Sequence, residues 1–408
     1  MSQGFEERIE KVGEGPMTTL RAAIEWLLAC ARIPLKADHA AAMHRRLRDH
    51  LDWQEVLRLA RQHAVLPLLY HQLKTVGPQA VPRAVWDELQ HRVRMNLRRN
   101  LSMTAELLNL LHVLEAHGIA AIPYKGPVLA AAIYGDVGLR QFGDLDILVR
   151  QQDVLKVKTL LLRQGYQPEV ALTPAQEIAY LRFSCEYNFT NQTNGILLEI
   201  HWRLARPYFM VSLDADHLWD HLEPVQLGGR QLHSLKPEEL LLILCIHGGK
   251  HAWERIGWMR DVVQLLHCRR DLQWDRIMAQ ATRLGVVRLL RLGLFLAHDL
   301  LGATLPPAIS TWVRADAKVE PLAMQVYQQL FQATPCPSDF AHHVFALKMR
   351  ERWWDRMAYS CRLPGALTLA DLMFLPLPSH LSGLYYCLRP VRLLGKYTER
   401  LWQRSHAD

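Results

Sequence analysis

The stretch IAAIPYKGPVLAAAIYGDVGLRQFGDLDILVR, residues 119–150, decides how the chain is read. It opens on a short apolar run, Ile119 to Pro123, and passes through Lys125 and Gly126 into a small-residue, helix-like segment, Pro127 to Tyr134. A polar turn with Gly135, Asp136 and Gly138 follows, and the stretch closes on Asp144-Leu145-Asp146-Ile147-Leu148-Val149. Successive side chains of a strand point to opposite faces. A strand here puts Asp144 and Asp146 on one face and Leu145 and Ile147 in a core. Two carboxylates held side by side repel each other, so such a pair at a strand end calls for a cation between them. Oxygen donors without Cys or His suit Mg²⁺ (or Mn²⁺) rather than zinc, and Mg²⁺ is commonly held by one or two carboxylates together with substrate phosphates. Upstream, Gly126 stands where a strand passes into a helix. Glycine permits close approach of a phosphate, a helix N-terminus offers N–H groups, and Lys125 adds a positive charge.

A strand, a glycine-containing turn, a helix and an acid-x-acid strand resemble the core of the nucleotidyltransferase superfamily whose folds are like DNA polymerase beta. The form here is Lys125, Gly126 and Leu129, then Tyr134 and Arg140, then Asp144-Leu145-Asp146 with Leu148 and Val149. It is similar to the branch known as the uncharacterised nucleotidyltransferase family, which puts lysine before the glycine in place of the broader Gly-Gly or Gly-Ser signature. The resemblance implies a third acid on a later strand. In Gly195 to Trp202, period two places Leu197, Glu199 and His201 on one face and Leu198, Ile200 and Trp202 on the other. Glu199 matches the third-acid position, and Glu199-Ile200-His201-Trp202 resembles the family's acid-x-His-Trp pattern. The family also carries a His-x-x-Lys-His, matched by His247, Lys250 and His251, and a following step like Arg260-Asp261.

The resemblance implies roles as well. Asp144, Asp146 and Glu199 are the implied catalytic carboxylates and metal ligands. Lys125, Gly126 and Arg140 are implied to neutralise a triphosphate, and His201 to orient Glu199 or meet the acceptor. His247, Lys250, His251 and Asp261 are implied to line the cleft opposite the carboxylates, touching nucleotide or acceptor. From spacing alone, His247 and His251 are four apart on a helix without a third metal ligand in register. They equally fit a helix beside a buried cluster of Trp253 and Trp258.

Composition bounds the rest. The 408 residues, half of them hydrophobic, suffice for two or three domains with a substantial core. No apolar run has transmembrane length, and the opening MSQGFEERIE is not a signal peptide. Seven scattered cysteines without CxxC spacing argue against a disulfide framework and for a reducing cytoplasm. The net charge of +8 suits an anionic partner, whether nucleotide, nucleic acid or membrane surface. Binding of the nucleotide alone is the simpler account.

The expected architecture is α+β, a polymerase beta-like mixed sheet core flanked by N- and C-terminal helical domains. We divide it as a helical region at 1–100, a catalytic core at 101–225 and a helical domain at 226–408. Residues 1–18 read as a polar start, Leu20 to Ile33 and Asp52 to Leu73 as amphipathic helices, and Pro82 to His117 as one or two long helices with a break near Asn100. The arginines of that long segment, Arg92, Arg94, Arg98 and Arg99, have no interleaved aromatics and read as a solvated face rather than a nucleic-acid stripe. The hairpin pattern of 186–202 is followed by helical patterning from Leu213 onward. Breaks are expected at Pro335 to Pro337 and Pro364-Gly365. Trp53, Val56, Ala60, Val65, Leu68 and Leu69 align at constant offset with Trp274, Ile277, Ala281, Val286, Leu289 and Leu290, which suggests two related helical modules. The apolar, basic segment from Phe374 to Trp402 reads as an arm packed on the helical body rather than a peripheral membrane contact.

The expected activity is metal-dependent transfer of a nucleoside monophosphate from a nucleoside triphosphate, ATP in the first instance, to an acceptor hydroxyl on a small molecule, protein or RNA, with release of pyrophosphate. The alternatives are a phosphotransferase on the same fold, a non-catalytic nucleotide- or RNA-binding protein, and a toxin-like enzyme modifying tRNA.

Overall fold

The computed structural model describes residues 18–32, 51–77, 79, 81–206, 218–330 and 339–394. The first helices are α1 (Thr18–Ala31), α2 (Trp53–Gln62), α3 (Leu66–Val76) and α4 (Arg83–Ala116). The sheet unit contains β1 (Ala121–Pro123), α5 (Gly126–Leu129), β2 (Asp144–Val149), α6 (Val154–Arg163), β3 (Tyr166–Pro168), α7 (Pro174–Phe183), β4 (Glu186–Asn191) and β5 (Leu197–His201). A hairpin follows, β6 (Leu222–Leu227) and β7 (Arg230–Leu235). The chain continues with α8 (Pro237–Lys250), α9 (Ile256–Cys268), α10 (Trp274–Leu284), α11 (Val287–Phe295), α12 (Pro307–Arg314), α13 (Val319–Leu330), α14 (Asp339–Lys348), α15 (Trp353–Gly365) and α16 (Leu369–Phe374).

The five-stranded sheet has the order β1-β2-β5-β4-β3, with β2 and β5 parallel and the other pairs antiparallel. Its alternation of acids with apolar residues sets the register. Leu145, Ile147, Tyr187, Phe189, Leu198 and Ile200 are buried on one face, against Val157 and Leu161 of α6 and Leu107 and Leu111 of α4. Each such side chain contributes about 1.5–3 kcal/mol. A one-residue slip would expose the whole set and bury the acids, so the opposite face is fixed as the acidic one.

Of the two readings of the long segment before the sheet, the structure takes the single unbroken helix, α4. Its polar centre reads as a breaker, but Asn100 is buried and uses its amide to hold the site loop, donating to the carbonyls of Val137 (2.6 Å) and Arg140 (2.8 Å). Of the helical patterning expected from Leu213, residues 213–217 lie outside the described residues and Leu218 and Trp219 are helical, but a hairpin not anticipated in the sequence, β6–β7, comes before the next helix. Consecutive Gly228 and Gly229 both take positive φ at its tip, +58° and +80°, which is the turn chemistry a tight hairpin requires. Ser234 of β7 donates to the carbonyl of Pro123 at 2.7 Å, tying the hairpin to β1. The divisions expected after residues 100 and 225 therefore fall inside α4 and inside this hairpin.

The helices before and after the sheet unit share one core. Within it the aligned segments α2–α3 and α10–α11 adopt matching turns. Ala64 and Gly285 take left-handed φ of +57° and +66°. Val65 and Val286 follow at φ/ψ of −124°/13° and −119°/20°. Their N–H groups return to Ala60 at 2.8 Å and Ala281 at 2.9 Å. The offset seen in the sequence is thus carried by backbone geometry as well as by apolar spacing.

The segment expected to rest on the helical body packs instead on the sheet unit. Leu372 and Tyr385 are fully buried in the same core as Ala179 and Tyr180 of α7, and Gln176 donates to the carbonyl of Leu372 at 2.8 Å. Arg389 and Arg392 both bind buried Asp371 at 2.6 Å. Lys396, Trp402, the expected break at Pro335 to Pro337 and the first 17 residues lie outside the described residues.

Trp253, fully buried, is wedged between helices α8 and α11. A Cβ on Gly248 would stand 2.5 Å from its ring, and one on Gly293 would stand 3.0 Å away. Gly248→Ala gains about 1 kcal/mol of helix propensity but overpacks a rigid indole, which costs about 1–3 kcal/mol and more where nothing can give. We expect a net loss of about 1–2 kcal/mol, read as a lower urea midpoint. An unchanged midpoint would mean the indole is not wedged there.

Candidate active site

The site is built on the acidic face. In register, Asp144 pairs with Leu197, Asp146 with Glu199 and Leu148 with His201 across β2 and β5. On the other side of β5, Glu199 pairs with Asn188 and His201 with Glu186 of β4. Paired residues of neighbouring strands share a face, so Asp144, Asp146, Glu199, His201 and Glu186 form one floor. Glu186 was not anticipated, since nothing in its local sequence ties it to His201. Only the antiparallel register of the hairpin does.

Asp146, Glu199 and His201 form the tightest group, with one ligand atom from each within 4.8 Å of the others. Asp144 lines the same cleft two residues along β2. Asp146 is buried, with a 3% exposed side chain, and it keeps its charge because two cations meet it. Lys125 Nζ donates to its Oδ1 at 2.8 Å, and His201 Nε2 is 3.2 Å from the same oxygen. Burial alone would push its carboxyl upward, but Lys125 and His201 hold it well below the ordinary range. Burial and the charges of Asp146 and Glu199 push Asp144 up to about 6. Burial opposes the charge on His201, yet hydrogen bonds with Asp146 and Glu199 (3.1 Å) outweigh it and raise the imidazole to about 9. His201 Nδ1 also faces Glu186 at 3.6 Å.

Lys125 reaches this floor because of the residue after it. Gly126 has φ +55°, and a Cβ there would meet the Asp144 carbonyl at 3.1 Å. The corner is therefore packed directly on β2. Pro127, next in α5, has no N–H, so the first backbone donors of this short helix are those of Gly126 and Val128. Arg140 belongs to a second network. Its guanidinium binds Asp261 of α9 through Nε at 3.0 Å and Nη2 at 2.9 Å, and Tyr134 OH donates to Asp261 at 2.9 Å. Asp261 lines the cleft, as expected, and within it holds Arg140. Among the described residues Arg140 Nη1, a buried atom, has no hydrogen-bond partner, and the residue lines the cleft.

The roof comes from the end of α8 and the start of α9. His247, Lys250, His251 and Trp258 line it. The link between these helices includes Ala252 and Trp253 at positive φ, +50° and +55°. One wall is the α2–α3 turn, where Gly257 N–H donates to the His63 carbonyl at 2.9 Å. The enclosed cleft has a volume of about 380 Å³. All of the expected site residues Lys125, Gly126, Arg140, Asp144, Asp146, Glu199, His201, Lys250 and His251 line it.

A family model described as uncharacterised nucleotidyltransferase matches residues 49–302. The chain belongs to this family. It is a nucleotidyltransferase, an enzyme class that uses a nucleoside triphosphate and generally a divalent metal. No curated protein and no solved structure matches the chain. The family match runs from before α2 to beyond α11, so it takes in the floor, the roof and both related helix pairs. No described helix is long and apolar enough to cross a membrane. The donor set fits a hard divalent cation: carboxylate oxygens of Asp146 and Glu199 dominate the close group, and Asp144 lines the same cleft.

His201 makes stability depend on pH. The folded imidazole holds its proton to about 9, against 6.5 for the ordinary group. Between those values the native state binds the extra proton, so stability falls as pH rises from about 6.5 through about 9. The full effect is on the order of 3 kcal/mol. We expect urea midpoints measured with chelator to fall from pH 6.5 to 9 in the wild type and to stay nearly flat in His201→Gln. A wild-type midpoint that is flat over this range would contradict the ion-paired imidazole.

Proposed function

We propose that the protein transfers a nucleoside monophosphate from a nucleoside triphosphate, ATP first among candidates, to an acceptor hydroxyl of a small molecule, protein or RNA. The observation that carries this reading is the register match of Asp146 with Glu199 on adjacent parallel strands, beside Lys125 and Arg140. The acceptor oxygen bonds to the α-phosphorus, the bond to the bridging oxygen breaks, and pyrophosphate leaves with the electron pair. Glu199, half-buried and steadied by His201, takes the hydroxyl proton. Lys125 and the unpartnered Nη1 of Arg140 neutralise the triphosphate. When bound, a divalent cation such as Mg²⁺ or Mn²⁺ held by Asp144, Asp146 and Glu199 supplies further charge neutralisation at the phosphate oxygens. A reducing cytoplasm suits the free cysteines.

The test is incubation of the protein with α- and γ-labelled triphosphates, Mg²⁺ and lysate fractions. The α-label is expected to enter an acceptor while pyrophosphate appears. Loss of groups that merely orient metal ligands already costs 10–100-fold, so Asp144→Ala/Asp146→Ala is expected to lower transfer about 10²-fold or more. Transfer of the γ-label with release of diphosphate would replace this reading by phosphoryl transfer. Equal activity of the variant would remove the carboxylate assignment.

A further inference from the structure

The roof carries a ring cluster that the phosphate side of the cleft does not use. His247 and His251 are four residues apart at the end of α8 and so share a helix face. Trp258, in the first turn of α9, completes the group. Ring centroids lie 4.8 Å apart for His247 and His251, 5.0 Å for His247 and Trp258, and 5.2 Å for His251 and Trp258. All three line the cleft that holds the carboxylates. Neither imidazole has a hydrogen-bond partner among the described residues.

Burial and the charges of Lys125 and Lys250 lower both imidazoles, His251 to about 3 and His247 well below its usual value. They are neutral near pH 7, and a neutral imidazole offers one donor and one acceptor. The rings are tilted against one another, by 56° for His247 and His251, 43° for His251 and Trp258 and 83° for His247 and Trp258, so they offer ring faces and ring edges together. Phosphate would gain little from the uncharged rings themselves, since the cleft supplies it positive partners in Lys125 and Lys250. A heteroaromatic base can lie on one ring face and meet the nitrogen of another at its edge, and base–aromatic stacking is a strong and general contact.

We propose that His247, His251 and Trp258 form the subsite for the nucleobase of the triphosphate. His251 and Trp258 supply stacking surface, and His247 supplies a hydrogen bond to the base edge. This rests on the reading that a nucleoside triphosphate occupies the floor. Inorganic tripolyphosphate has the phosphates without the base, so it separates the two assignments.

Binding of tripolyphosphate and of a non-hydrolysable α,β-methylene ATP analogue, each with Mg²⁺, is to be measured calorimetrically on the full chain and on Trp258→Leu and His251→Ala. The expected result is about tenfold or greater weakening for the analogue, with tripolyphosphate bound as by the wild type. Unchanged binding of the analogue by both variants overturns the subsite and leaves the phosphate site standing. Equal weakening of both ligands also overturns it, because the rings would then only hold the cleft together. If neither ligand binds the wild type, the triphosphate reading fails and the subsite falls with it.

Discussion

The ion pair between Lys125 and Asp146 is the contact on which the site depends. Asp146 lies under the cleft floor with Glu199 paired beside it and Asp144 two residues away. An ionised carboxylate taken from water costs several kcal/mol unless it is matched. Like charges nearby add to that cost. Lys125 and His201 offset it, and each comes from a different element: the corner after β1 and the end of β5. The corner in turn exists only because Gly126 accepts a left-handed φ and leaves no Cβ against the Asp144 carbonyl. Backbone conformation at one residue thus delivers the counter-charge for another twenty positions away.

Much of this was legible in the sequence because the sheet is half-buried. Alternation through 144–147 and 198–201 assigns the acids and His201 to one face and Leu145, Ile147, Leu198 and Ile200 to the other, and a slip by one residue would exchange them. What was not legible depends on contacts distant in sequence. Glu186 becomes part of the floor only through pairing with His201. The contacts of Asp261 with Arg140 and Tyr134, some 120 residues upstream, were likewise out of reach of the sequence. Asn100 looks like a helix breaker until its carbonyl partners at 137 and 140 are known. The β6–β7 hairpin differs, because its Gly228-Gly229 turn was a local signal in plain view, masked by the helical composition on either side.

The two related helix pairs explain why the cleft has a firm roof. In the first, the left-handed turn at Ala64 faces inward, and its neighbouring carbonyls at 63 and 64 approach the Gly257 position so closely that a Cβ there would stand 3.0–3.1 Å from them. This fixes the start of α9, and with it Trp258 and Asp261. In the second pair, Leu289 of α11 fills the space beside Gly249, where a Cβ would stand 2.0 Å from it. This fixes the end of α8, and with it His247, Lys250 and His251. The same hairpin geometry is used once as a wall and once as a brace.

That arrangement has a consequence for the chemistry. The floor is set by strand register and the roof by glycine-mediated helix contacts that admit no slack. Arg140 joins the two, since it leaves the loop before β2 and is clamped by Asp261 of α9. The guanidinium is therefore held from the roof while the residue lines the cleft, its buried Nη1 unpartnered among the described residues. A donor positioned before ligand arrives needs no reorganisation as charge develops, and electrostatic catalysis gains most from such groups. The buried clamp in the cleft wall is thus as much a part of the site as the carboxylates of its floor.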